Sequence, residues 1–174
     1  KKMNDPQIVN LLKAFHVKGE NHIFFIQQEK LYNLIDYIKN NKIIGEKRRS
    51  FWDAIDALHE VSKKYENMKY EKNETPKSLI SKIGKKINYI EDLIMPKNKK
   101  IYNLINALIR LKKHGINYPD AHQGNIMVDK TGNFKFIDIG NASGKKSIKK
   151  YNKLSIINYG DIIPIKEKQN VRFS

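Results

Sequence analysis

The chain has 174 residues, of which 40% are hydrophobic, so it suits one domain with a real core rather than a disordered polymer. It contains no cysteine, which excludes a disulfide framework or a thiolate metal site and fits a reducing, cytoplasmic setting. A formal charge of +16 directs it towards polyanions such as nucleotide phosphates, nucleic acid, acidic proteins or an anionic membrane face.

No compact basic block with interleaved aromatics stands out, so most of the lysines read as a solvated face. No run of about 18 apolar residues is present, which speaks against a membrane span. The chain opens on Lys1-Lys2-Met3-Asn4-Asp5-Pro6 without the apolar core of a signal peptide, and the expectation is a portion of a longer protein.

In chain order, Gln7–Phe15 is apolar at Ile8, Val9, Leu11, Leu12 and Phe15, a period that leaves strand and helix open. Lys18-Gly19-Glu20-Asn21 signals a turn, and Ile23-Phe24-Phe25-Ile26 reads as a buried strand. Leu31, Leu34, Ile35 and Ile38 fall at helical spacing, predicting a short helix over 32–40. From Arg49 the pattern is helical again, with Phe51, Trp52, Ile55, Leu58 and Val61 on one face. The polar stretch 63–77 predicts a loop ending near Pro76, and 79–95 a weaker helix broken at Gly84. Pro96 starts a new element. Ile101, Leu104, Ile105, Leu108, Ile109 and Leu111 predict a strong amphipathic helix, stopped by His114-Gly115. Two short strands, Ile126–Val128 and Phe134–Ile137, flank the turn Lys130-Thr131-Gly132-Asn133. The tail from Ser143 is basic with two β-like patches, and no internal repeat is visible.

Chemistry concentrates between Tyr118 and Gly140. A helix ends and a loop presents Asp120; Asn125 closes that loop where a strand begins; a hairpin returns, and Asp138 stands just past the second strand. Two carboxylates and an amide oxygen are then expected at one end of a small ribbon. These are hard oxygen ligands of the kind Mg²⁺ takes alongside substrate phosphates. A carboxylate left off the metal can orient or deprotonate a hydroxyl.

This constellation resembles the protein-kinase-like superfamily. In that family a catalytic-loop Asp is followed five positions later by Asn and, after a hairpin, by an Asp-Phe-Gly-type Asp. Asp120 and Asn125 have the first spacing, and Asp138-Ile139-Gly140 stands in the place of the last motif. Tyr118-Pro119 replaces the usual His-Arg pair, and Pro119 cannot pair with an activation-loop phosphate. Asp120-Ala-His-Gln-Gly-Asn125 is similar to the loop of aminoglycoside phosphotransferases and other small-molecule or atypical kinases, with His122 where typical Ser/Thr kinases carry lysine. Upstream, Asp5–Phe15 is similar to the approach to the fourth N-lobe strand. Ile23–Leu31 is similar to the fifth strand and hinge.

The resemblance implies an α+β, protein-kinase-like fold. Residues 1–30 would form a partial N-lobe with hinge, and residues 31–174 a mainly helical C-lobe. Within the latter, a helical insertion at about 45–97 would precede a catalytic core at 99–142. It further implies binding of ATP, with Gln28, Glu29 and Lys30 at the hinge and Gly140 beside the phosphates. Asp138 and Asn125 would hold Mg²⁺, and Asp120 would accept the proton of a hydroxyl-bearing protein or small-molecule acceptor. No glycine-rich phosphate loop and no strand-borne lysine with a partner glutamate is identifiable, and in the resemblance both would lie upstream of Lys1. After Gly140 no Ala-Pro-Glu segment follows. Those departures keep open a degenerate kinase fold used as a binding module, docking an anionic partner such as nucleic acid. A nucleic-acid-binding protein unrelated to kinases would instead show steeply salt-dependent binding and no Mg²⁺–ATP effect. Read singly, Asp120 is a loop or capping residue, Asn125 a turn residue and Asp138 a strand-end residue. Their joint spacing is what points to phosphotransfer. His122 reads as a residue shaping the loop, Trp52 as core, and His16, His22, His59 and His114 as structural or surface.

Overall fold

The computed structural model describes residues 5–9, 11–17, 23–90 and 99–138. Among them are five strands and four α-helices in an α+β arrangement, with no helix long and apolar enough to cross a membrane.

The apolar alternative at the N-terminus resolves as strand. β1 (Leu11–Val17) and β2 (Ile23–Gln28) pair antiparallel with His16 opposite Phe24, and a register shift falls between Leu11 and Lys13. Just before β1, Ile8 bridges in parallel to Phe136, with Val9 N–H donating to the Phe136 carbonyl at 3.0 Å and Phe136 N–H to the Gln7 carbonyl at 2.8 Å. The buried carboxylate of Asp5 meets the Arg110 guanidinium, Nη2 to Oδ1 at 2.8 Å, so this N-terminal segment is pinned to the helix carrying Arg110.

A second sheet has the order β3-β4-β5, from Tyr32–Asn33, Ile126–Val128 and Phe134–Phe136. Its register sets Tyr32 opposite Val128 and Ile126 opposite Phe136. The helix expected over 32–40 therefore starts later. Tyr32 and Asn33 are drawn into strand pairing, and Asn33 caps α1 (Leu34–Asn40) by accepting from Asp36 N–H at 2.7 Å.

α2 (Gly45–Glu66) is longer at both ends than its apolar face predicts. It begins four residues before Arg49 and runs into the stretch expected as loop, because Val61, Ser62 and Tyr65 turn towards the core. α3 (Pro76–Ile83) opens with Pro at its first turn and a reciprocal Thr75–Ser78 capping box, and ends in a 3₁₀ turn at Gly84–Lys86, the break anticipated at Gly84. Pro96 lies outside the described residues. α4 (Lys99–Lys113) matches the amphipathic prediction: Ile101, Leu104, Ile105 and Leu111 are essentially fully buried, and Gly115 closes it at φ +78°.

α2, α3 and α4 bury Ile55, Leu58, Leu79, Leu104 and Leu111 against one another and against Phe136 of the ribbon in one continuous core. Each such side chain stabilises the fold by roughly 1.5–3 kcal/mol relative to exposure. Within the segment expected as an insertion, α2 and α3 are part of that core.

Candidate active site around Asp120, Asn125 and Asp138

The loop after α4 is tied down before it presents any chemistry. Buried Ser62 of α2 lies with Oγ 2.7 Å from the carbonyls of both His59 and Pro119, and Ala121 N–H approaches the same oxygen at 3.4 Å. Lys112 donates to the carbonyls of Tyr65 and Glu66 and to Asn117 Oδ1, closing the C-terminal end of α2 onto the start of the loop. Burial lowers the pKa of that ammonium from its ordinary value.

On this frame Asp120 and Asn125 meet. Asn125 is buried, and its Nδ2 donates to the Asp120 carboxylate at 2.9 Å and to the Asp120 carbonyl at 3.0 Å. Nδ2 makes these bonds, so Oδ1 is the acceptor end of the amide. The intervening residues form a 3₁₀ turn (Gln123–Asn125) capped by His122, whose Nδ1 accepts from Gly124 N–H at 3.0 Å. That acceptor role assigns the ring proton to Nε2, which faces Asp120 Oδ1 at 3.4 Å. A side chain at 124 would collide with the imidazole, since a Cβ there would lie 2.8 Å from His122 Cε1. Glycine is what lets the His122 ring fold over the turn.

Asp138 follows β5. Ile137 is held at both backbone groups: its N–H donates to the Asn125 carbonyl at 2.9 Å, and its carbonyl accepts from the Tyr118 hydroxyl at 2.8 Å. The chain then turns through a left-handed residue, Asp138 at φ +48°, and the side chain is exposed. Asp is among the few non-glycine residues that visit this region at modest cost, and such strain gathers at functional sites. Tyr118 reports how close the groups are. Burial raises its phenol above the ordinary pKa, the carboxylates of Asp120 and Asp138 raise it further, and an Asn125 side-chain hydrogen bond pulls the other way. Asn125 and Asp120 are thus bonded directly, and Asp138 is linked to them through the backbone of Ile137. Among the described residues no group of three His, Cys, Asp or Glu that could hold a metal ion is present.

At the predicted hinge, Gln28 and Lys30 are exposed, and Lys30 Nζ lies 5.5 Å above the Tyr32 ring. Glu29 pairs through its side chain with the buried Lys135 of β5 at 2.7 Å, with Asp129 at 3.9 Å from the same nitrogen. The Glu29 side chain therefore ties the end of this segment to the ribbon. Gly140 lies outside the described residues.

Sequence reading did not single out Ser62 or the Tyr118 hydroxyl, and it placed His59 among structural or surface residues. His59 stacks edge-on with His122 at 5.8 Å, and its buried Nδ1 has no hydrogen-bond partner among the described residues. Burial lowers its pKa, with Lys63 and His122 adding to the shift and Asp120 and Glu60 opposing it.

No protein-family model, curated protein or solved structure matches the chain.

Proposed function

We propose that the chain carries the catalytic part of a protein-kinase-like phosphotransferase that moves the ATP γ-phosphate to a hydroxyl acceptor with Mg²⁺. The observation supporting this most strongly is the clamp on Ile137. Tyr118 and Asn125 hold the residue that precedes Asp138, and Asn125 also bonds Asp120. Spacing alone motivated these three residues, and the Asn125–Asp120 bond with the Ile137–Asn125 backbone bond supports reading them as one site.

In this reading Asp138 and Asn125 Oδ1 would hold Mg²⁺, which neutralises charge on the transferring phosphoryl group. Asp120, oriented by Asn125 and faced by His122, takes the acceptor proton. The adenine would lie along the backbone of 28–30. Little covalent chemistry is asked of the protein, and rate comes from position and charge.

The test is Mg²⁺-dependent ATP turnover by the full chain and by Asp138→Ala. Because Asp138 is exposed and outside the core, the variant keeps its circular dichroism spectrum and loses turnover by about 100-fold or more. Undiminished turnover would refute the assignment.

A further inference from the structure

A second feature lies away from this site, between α1 and the start of α2. Here Ile35, Ile43, Ile44 and Trp52 line a cavity of about 140 Å³. Ile35 is 53% and Ile44 74% exposed, unusual for large apolar side chains outside a core. An apolar cavity of about 150 Å³ holds one benzene ring, whereas small-molecule sites run to about 300–1,000 Å³. The groove therefore has the capacity of a single ring-sized or branched side chain.

The rim is cationic. Lys39, Lys42 and Arg48 line the same cavity, and none of them forms an ion pair with a carboxylate among the described residues. Lys47 and Arg49 flank Arg48, with Glu46 the sole carboxylate between positions 39 and 49. The groove also sits at the N-terminal end of a 22-residue helix whose cap residue, Ile44, makes no side-chain capping bond. First-turn N–H groups and the helix dipole add positive potential there. Trp52 is fixed edge-on against Phe51 at 5.3 Å, so the wall is formed in advance.

We infer that this groove docks an acidic segment of a partner protein, seating one bulky apolar side chain in the cavity with flanking carboxylates on Lys39, Lys42 and Arg48. Charge complementarity selects this occupant. The chain's own tail is a poor candidate, since residues 143–174 hold eight Lys and Arg against Asp161 and Glu167. A concavity sized for one side chain fits a peptide anchor better than a flat lipid surface. The inference is independent of the phosphotransfer reading.

Trp52 is the chain's only tryptophan and serves as a built-in reporter. The intact chain is titrated with a peptide bearing one Phe between Glu-rich flanks, with its Phe→Ala counterpart, and with phosphatidylserine vesicles. A saturable blue shift of Trp52 emission is expected with the Phe peptide, weakened by salt and roughly tenfold or more weaker for the Ala peptide. Ile44→Glu and the exposed-charge double variant Lys42→Glu/Arg48→Glu are each expected to weaken binding by about tenfold or more with an unchanged circular dichroism spectrum. The inference is overturned by equal affinity for the two peptides, by binding indifferent to both variants, or by no response at about 1 mM peptide. A vesicle response without a peptide response also overturns it, assigning the face to a membrane surface.

Discussion

Asn125 donates both amide protons to Asp120, one to the carboxylate and one to the carbonyl. Its own carbonyl receives the N–H that precedes Asp138. Asn125→Ala deletes the side-chain bonds from a buried position. It is expected to cost about 1–3 kcal/mol in urea denaturation, and a loss well under 0.5 kcal/mol would show that the loop does not depend on the amide. His59 carries the clearest pH signature. Its unfolded value is near 6.5 and its folded value is lower, chiefly through burial. Between the two the unfolded chain binds more protons, so stability rises with pH there. This contribution is complete above pH 6.5 and declines as the pH falls through the folded value. Melting temperatures measured from about pH 5 to 8 should fall on the acid side, and less so in His59→Gln. An identical acid slope in that variant would remove His59 as the source. Ser62, His59 and Tyr118 could not be assigned from sequence because no spacing marks them. Their partners lie on other elements, and only the packing of α2 against the loop brings them together.

At the scale of elements, two ion pairs join the N-terminal part to the rest: Arg110 with Asp5, and Lys135 with Glu29. The second is the more enclosed on its cationic side, with the Lys135 side chain 6% and the Glu29 side chain 22% exposed. Removing Lys135 takes the cation away from the Glu29 and Asp129 carboxylates it faces, so Lys135→Ala is expected to destabilise by roughly 2–3 kcal/mol. Lys135→Met/Glu29→Gln should recover much of that loss, and a double variant as unstable as the single one would mean that packing, not charge, was lost. Elements with strong local signals were legible. The period of α4 with its Gly115 stop, the turn flanked by β4 and β5, and the Gly84 break all agree with expectation. Elements set by distant partners were less so. Tyr32 and Asn33 carry helix-compatible neighbours, yet they pair with Val128 and Met127 far along the chain. The first turn of α2 is charged, exposed and uncapped, which hides its start from any apolar pattern.

For the molecule as a whole, the core of α2, α3, α4 and the ribbon gives the loop a rigid base, and fully buried Phe136 ties that core to β5. Of the candidate site, the Asp120–Asn125 contact was readable from the spacing of polar residues around a hairpin. The docking groove was not, since Ile35, Ile44 and Lys42 meet only after α1 and α2 fold back on each other. The central claim is that Asp138 and Asn125, with Asp120 beside them, grip a divalent cation bearing nucleotide phosphates. Its most direct test is electron paramagnetic resonance of Mn²⁺, standing in for Mg²⁺, with ATP and the full chain. A protein-bound Mn²⁺–ATP signal is predicted for the native chain and its loss for Asp138→Asn; an equal bound signal in both, or none in the native chain, would contradict it.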